Sequence, residues 1–303
     1  MHVAVIGAGA IGSALAAHLS RANPVTLVGH DNSHLHALET GPLTVREVDG
    51  SVTSMQVDVT TDHADVAAAD LLVLTVKSYD TDEALLDVEP SLEKTPVLTL
   101  QNGLGNIERI RESVAPEQVI GGTTTLGAFV PEPGTVRIES SGETVIGRPW
   151  GDRDRVLEQV AETFQSAGLQ TEIDARIRRQ IWQKVLVNVG INPVTALGGV
   201  QNGCLQSGPG RSLLVSAIEE ARNVSEAEGF VIDSPVERAL AVVEATGENR
   251  SSMLRDLESN SKTEIDALNG AIVDRAVEHD ILVPVNRTLT DAIKLRSGRG
   301  QTP

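Results

Sequence analysis

Lysine, cysteine and aromatic side chains are all scarce in this chain. Among 303 residues there are five lysines (Lys77, Lys94, Lys184, Lys262, Lys294), one cysteine (Cys204), two tryptophans, one tyrosine and three phenylalanines. A single cysteine excludes an intramolecular disulfide and a cysteine-rich zinc site. Basic residues are outnumbered, 25 Lys+Arg against 42 Asp+Glu, for a formal charge of −17. A field of that sign repels phosphate backbones, so no nucleic-acid partner is expected. No apolar run is long enough to span a bilayer once glycines and charges are counted, so no membrane is expected either. The N-terminal run VAVIGAGAIGSALAAHL has no lysine or arginine before it and reads as structure, not as a targeting signal. The default is a soluble cytoplasmic protein without internal repeats or low-complexity tracts. The hydrophobic fraction of 40% is that of a folded chain. Its acid-rich, lysine-poor surface resembles one adapted to a high-salt cytoplasm.

The apolar runs at 2–9, 25–30, 70–78 and 95–103 are bounded by turn residues, and 10–22 has helical spacing. Continuous apolar strands separated by helices indicate a parallel sheet covered on both faces. Segments 119–129, 135–140 and 143–148 read as a meander at the sheet edge. A helix over 153–168 and a strand over 169–174 close this part. Beyond residue 175 the period is near 3.6, with helices predicted over 177–192, 211–229, 234–247 and 251–280. Pro193 should end or kink the first of these, and Ser234 should cap a helix that begins at Pro235. The expected architecture is α/β: a Rossmann dinucleotide-binding domain, 1–174, followed by an all-helical domain, 175–303. The crevice between two such domains is the default ligand site.

Gly7-Ala8-Gly9-Ala10-Ile11-Gly12 is GxGxxG, placed where a strand gives way to a helix. There the first glycine permits the turn, the second lets a pyrophosphate approach, and the third lets helix pack on strand. The phosphates would meet free N–H groups at the helix N-terminus. His30 and Asp31 stand at the end of the second strand, where an acid suits the ribose of NAD and a cation suits the 2′-phosphate of NADP. The same residues could simply begin the loop, so the cofactor stays open at this corner. His34 and His36 lie near His30, without assignable carboxylate partners, and no metal site is expected.

Lys184, Asn188 and Asn192 recur every four residues on a helix whose other positions include Ile181, Val185 and Val189. A cation and two amides among apolar residues are costly to bury unless they bind something; the alternative is a solvent-facing stripe. Gln101-Asn102-Gly103-Leu104-Gly105 and Lys77 both follow strands, at the sheet edge where α/β proteins hold ligands. Asn249-Arg250-Ser251-Ser252 precedes a helix expected to contain Thr263-Glu264-Ile265-Asp266; capping serines and a solvated acid are the plain account.

Taken in order, GAGAIG, Lys77, QNGLGN (101–106), GTTTLGA (122–128), WQKVLVNVGINPVTAL (182–197), NG (202–203), ENRSSML (248–254) and KTEID (262–266) resemble the ketopantoate reductase family over essentially the whole chain. The resemblance implies a helical domain like the C-terminal domain of 6-phosphogluconate dehydrogenase. It implies reduction of 2-dehydropantoate to (R)-pantoate with NADPH, on the route to pantothenate and coenzyme A. It implies Lys184 as proton donor with Glu264 beside it, at both cofactor and substrate. Asn102, Lys184, Asn188, Asn192, Asn202, Asn249 and Ser252 would contact the substrate. Gly7, Ala8, Gly9, Ala10, Ile11, Gly12, His30, Lys77, Asn102, Ala128 and Glu264 would contact the dinucleotide. Many members have arginine where His30 stands, so NADH stays open beside NADPH. A homodimer is compatible with the sequence, as is a monomer. The rival readings are a reductase of the same architecture acting on another keto acid or an imine, and a dinucleotide sensor without turnover.

Overall fold

A computed structural model of the chain describes residues 1–88 and 92–298. They form two compact units. Among the described residues, the first comprises those of Met1–Gln101 and Asn106–Arg178, the second Asn102–Gly105 and those from Arg179 to Gly298. The division falls at Arg178/Arg179 rather than after residue 174, and the short segment 102–105 groups with the second unit. Residues 299–303 of the expected helical domain lie outside the described residues.

The first unit begins β1 (Val3–Ile6), α1 (Ala10–Leu19), β2 (Val25–Val28), α2 (Ser33–Thr40), β3 (Leu43–Arg46), β4 (Val52–Met55), β5 (Asp58–Thr60), β6 (Leu71–Leu74). It continues α3 (Thr81–Asp87), β7 (Val97–Thr99), α4 (Asn106–Ser113), β8 (Val119–Thr124), β9 (Gly127–Glu132), β10 (Thr135–Ser140), β11 (Thr144–Gly147), α5 (Arg155–Ser166), β12 (Thr171–Ile173). Eight strands form one sheet in the order β12-β11-β8-β7-β6-β1-β2-β5. From β8 to β5 all neighbours are parallel; β11 is antiparallel to β8. Every side chain of β1 (VAVI) and β6 (LLVL) is buried, as two-sided coverage requires. The strand order reverses between β1 and β6, so the loops after these two strands flank the switch point where such sheets bind ligands.

The expected edge meander is not there. Only β8 and β11 join the main sheet; β9 and β10 form a second sheet in the order β4-β3-β10-β9. Strands β3 and β4 escape sequence reading because they are short, and β4 is mostly exposed with little apolar pattern. His34 braces this unit. Its Nε2 lies 3.0 Å from Ser13 Oγ on α1, and its Nδ1 accepts from the Gly134 N–H, at 3.1 Å, between β9 and β10. An accepting Nδ1 fixes the neutral ring with the proton on Nε2.

Burial holds His34 below its usual 6.5. The unfolded chain then takes up the proton more readily, so the brace contributes fully above the unfolded pKa and is lost as pH falls from there toward the folded one. His18, also buried, is shifted the same way. The stability gap between the native chain and His34→Gln is therefore expected to narrow as pH drops from 8 to 5. A gap independent of pH in thermal melts would contradict this.

The second unit contains α6 (Ile177–Gly198, its first two residues belonging to the first unit), α7 (Gly208–Ala227), α8 (Pro235–Ala245), α9 (Ser252–Glu258), α10 (Ala271–Glu278) and α11 (Pro284–Gly298). Helix α6 does not end at Pro193 but runs five residues further. Proline removes the donor that would bond the Val189 carbonyl, and Asn269 Nδ2 donates to that carbonyl instead, at 3.0 Å. Arg296 of α11 donates to the Ala196 and Leu197 carbonyls at the far end of the same helix. The helix expected over 251–280 is broken. Asn260, at φ +55, follows α9, and the chain resumes with a π turn, Asp266–Gly270, leading into α10. Ser234 occupies the N-cap position of α8 but makes no side-chain cap: at φ +48 it lacks the extended backbone that capping uses. No helix among the described residues is long and apolar enough to cross a membrane.

Candidate active site

In the first unit, the glycine motif forms the turn between β1 and α1. Gly7 has φ +116, and a Cβ there would sit 2.7 Å from the Val76 nitrogen. At Gly12 a Cβ would sit 1.9 Å from the Gly7 carbonyl oxygen. A Cβ at Gly9 meets nothing within 4 Å. Gly9 is the N-cap of α1, whose first turn carries no acidic residue. Two glycines are thus demanded by the chain's own packing. The third borders open space beside free helix N–H groups, the cradle a pyrophosphate needs. Ala8, Ala10 and Ile11 complete the turn. Thr75, after β6, locks it by donating to the Ile6 and Gly7 carbonyls at 3.1 and 3.0 Å. Lys77 follows at half exposure, at the start of a 3-10 turn, Ser78–Asp80. His30 and Asp31 are exposed just beyond β2. Ala128 lies on β9, in the second sheet and packed towards α1, not on the main sheet edge. The residues fit a dinucleotide.

In the second unit, Lys184, Asn188 and Asn192 descend one face of α6. They are not a solvent-facing stripe: Lys184 and Asn188 are partly buried and Asn192 is buried. Burial pushes the Lys184 ammonium down to about 8, while the nearby Glu264 carboxylate works against that shift. Glu264 is 6% exposed and lies in an irregular stretch before the π turn, so it is neither helical nor a solvated acid. Asn102 donates to Glu264 Oε2 at 3.3 Å. Backbone contacts set that meeting. Leu104 N–H donates to the Ala267 carbonyl at 2.9 Å, and Gly103, at φ +92, approaches so closely that a Cβ would be 2.5 Å from the same oxygen. Lys184, Glu264 and Asn102 therefore gather as an ammonium, a carboxylate and an amide.

A second group adjoins α6. Asn202 opens a 3-10 turn, and its Nδ2 donates to Thr246 Oγ1 at 2.9 Å. Its backbone N–H donates to the Asn249 carbonyl at 3.0 Å. Asn202 Oδ1 is buried, with no protein partner among the described residues. Ser251 caps α9 at the Leu254 N–H, 3.2 Å away, and shares a 2.7 Å hydrogen bond with Thr195 of α6. Ser252 is the exposed first residue of α9. The capping of α9 by Ser251 agrees with the plain reading of the sequence; the tie from Ser251 to Thr195 was not readable, because it joins residues 56 apart.

Two family models match the chain: ketopantoate reductase PanE/ApbA over residues 3–150, and ketopantoate reductase PanE/ApbA C terminal over 176–297. The chain belongs to the ketopantoate reductase family. It is 45% identical to a 2-dehydropantoate 2-reductase of Halobacterium salinarum, covering 99% of this chain and all of that one. It is 36% identical to that of Pyrococcus horikoshii, covering 99% of each. The crystal structure of a PanE/ApbA family ketopantoate reductase from Ralstonia eutropha JMP134 matches over the full length of both chains, at a TM-score of 0.91 and 30% identity. Family membership accounts for both halves of the fold: one family model covers most of the parallel-sheet unit and the other most of the helical unit.

Proposed function

We propose that this chain reduces 2-dehydropantoate to (R)-pantoate with NADPH, the step that feeds pantothenate and coenzyme A synthesis. The observation that carries the reading is the half-buried Lys184, poised near pH 8 beside buried Glu264 and Asn102. A reduced nicotinamide, held by the glycine turn, would supply the hydride for the keto carbon. Lys184 then does the protein's chemistry: its ammonium stabilises the charge that grows on the keto oxygen and gives that oxygen its proton. Glu264 keeps Lys184 charged against burial, and Asn102 holds Glu264. Asn188, Asn192, Asn202, Asn249 and Ser252 bind the substrate's carboxylate and hydroxyl without adding formal charge. Gly7 to Gly12, with Lys77, Ala128 and the His30 corner, bind the dinucleotide. NADPH is favoured over NADH if His30 accepts the 2′-phosphate against the neighbouring Asp31. The net charge of −17 leaves nucleic acid without a place in this reading, and a cytoplasmic location belongs to the same proposal.

The test is an assay of nicotinamide oxidation with 2-dehydropantoate, run with NADPH and NADH in parallel at low and high KCl. Turnover with 2-dehydropantoate should stand well above turnover with the keto acids of lactate and malate. Binding of NADPH without oxidation would replace the reading with a dinucleotide sensor. Within it, Asn188→Ala is expected to raise KM for the keto acid roughly tenfold while sparing kcat, as loss of a charge-assisted hydrogen bond in the ground state would. A change confined to kcat would remove Asn188 from substrate binding.

A further inference from the structure

We propose that Asn269 is a positioning residue, which holds the Lys184-bearing helix at a fixed distance from the segment that carries Glu264. Pro193 leaves the Val189 carbonyl of α6 without its helical donor, and Asn269 Nδ2 fills that place at 3.0 Å. The second Nδ2 hydrogen goes to Asn286 Oδ1, at 2.9 Å. Asn286 is held in turn by the Ala217 carbonyl and by Glu220, each at 2.9 Å, and both asparagines are fully buried. Asn269 Oδ1, by contrast, is buried with no partner among the described residues. Both donors of this amide are used, one on α6 and one on Asn286.

The connection to Glu264 is short. The Glu264 carbonyl accepts from the Ala267 and Leu268 N–H groups, and the Ile265 carbonyl accepts from Gly270. Asn269 therefore rides on the same hydrogen-bonded turn as Glu264. On the other side, Val189 lies five residues along α6 from Lys184. The inference rests on the proposed role of Lys184, and its test separates the two.

Glu264 is the charge that opposes the effect of burial on Lys184. If Asn269 sets their separation, Asn269→Leu should make Lys184 titrate at lower pH, by at least about 0.5. The full-length chain with 13Cε-labelled lysine has five such signals, and Lys184→Arg identifies the relevant one. The same substitution is made in a Pro193→Ala background, where an N–H restored at position 193 satisfies Val189 without Asn269. There the stability loss should shrink while the titration shift persists, measured against Pro193→Ala itself. That pair also serves if Asn269→Leu alone does not fold. An unmoved Lys184 titration, or a shift that disappears together with the stability loss, overturns the proposal and leaves Asn269 a structural plug. A moved titration with an unmoved basic limb of kcat supports positioning by Asn269 and refutes Lys184 as proton donor.

Discussion

Replacing Lys184 with alanine should lower kcat at least about 100-fold and leave NADPH affinity nearly unchanged. The size follows from what is removed. Hydride addition creates an alkoxide, and without an ammonium that charge must be stabilised by amides and water and protonated from solvent. The separation of effects follows from the fold, since Lys184 belongs to the second unit and the glycine turn to the first. A pH profile gives a second readout. Lys184 is held down at about 8, so it is mostly protonated at neutral pH and activity should fall as pH rises through that value. Glu264→Gln removes the charge that opposes burial and should draw the falling limb to lower pH. Cofactor affinity by fluorescence titration, with single-turnover rates, checks both variants. Unchanged turnover in Lys184→Ala would take lysine out of the chemistry.

Alanine at Gly12 and at Gly9 should fail in different ways. At Gly12 the new Cβ would lie 1.9 Å from the Gly7 oxygen and 2.7 Å from Thr75 Oγ1. Neither the carbonyl nor the helix can give way without opening the β1–α1 turn. The expected result is a large loss of stability, several kcal/mol in the manner of an overpacked core, or no soluble protein at all. At Gly9 the Cβ enters open space, so the melting temperature should hold. Dinucleotide affinity should fall about 100-fold or more, because that space is where the pyrophosphate must approach. Thermal melts and NADPH titration of the two variants make the comparison. A Gly9→Ala chain that binds NADPH normally would move the cofactor away from this turn.

The features readable from sequence are those whose physics is local. A glycine needed for a turn announces itself within six residues, and the four-residue spacing of Lys184, Asn188 and Asn192 marks one helix face. Glu264 is the counter-example. Its neighbours carry enough helical period to suggest a solvated acid on one long helix. Its amide partner, Asn102, lies 162 residues earlier in the chain, on a segment whose Gly103 admits the close approach to Ala267. The sheet was legible through its apolar central strands, whereas β3 and β4, short and partly exposed, carried no such pattern. Pro193 suggests an end or a kink because the donor that repairs the helix, Asn269, lies 80 residues from the Val189 carbonyl it satisfies.

The excursion of residues 102–105 into the second unit bears on how the chain is made. Asn102 leaves the ribosome long before its acceptor: at about 5–20 residues per second the wait for Glu264 is roughly 8–30 s. Within that interval the first unit can complete its sheet, whose last strand is β12, while this loop has no acceptor to dock on. A fragment beginning at Arg179 would lack the loop altogether, and with it the Asn102 donor and the Leu104 backbone bond. Cutting the chain between Arg178 and Arg179 therefore yields a helical piece that lacks the Asn102–Glu264 contact.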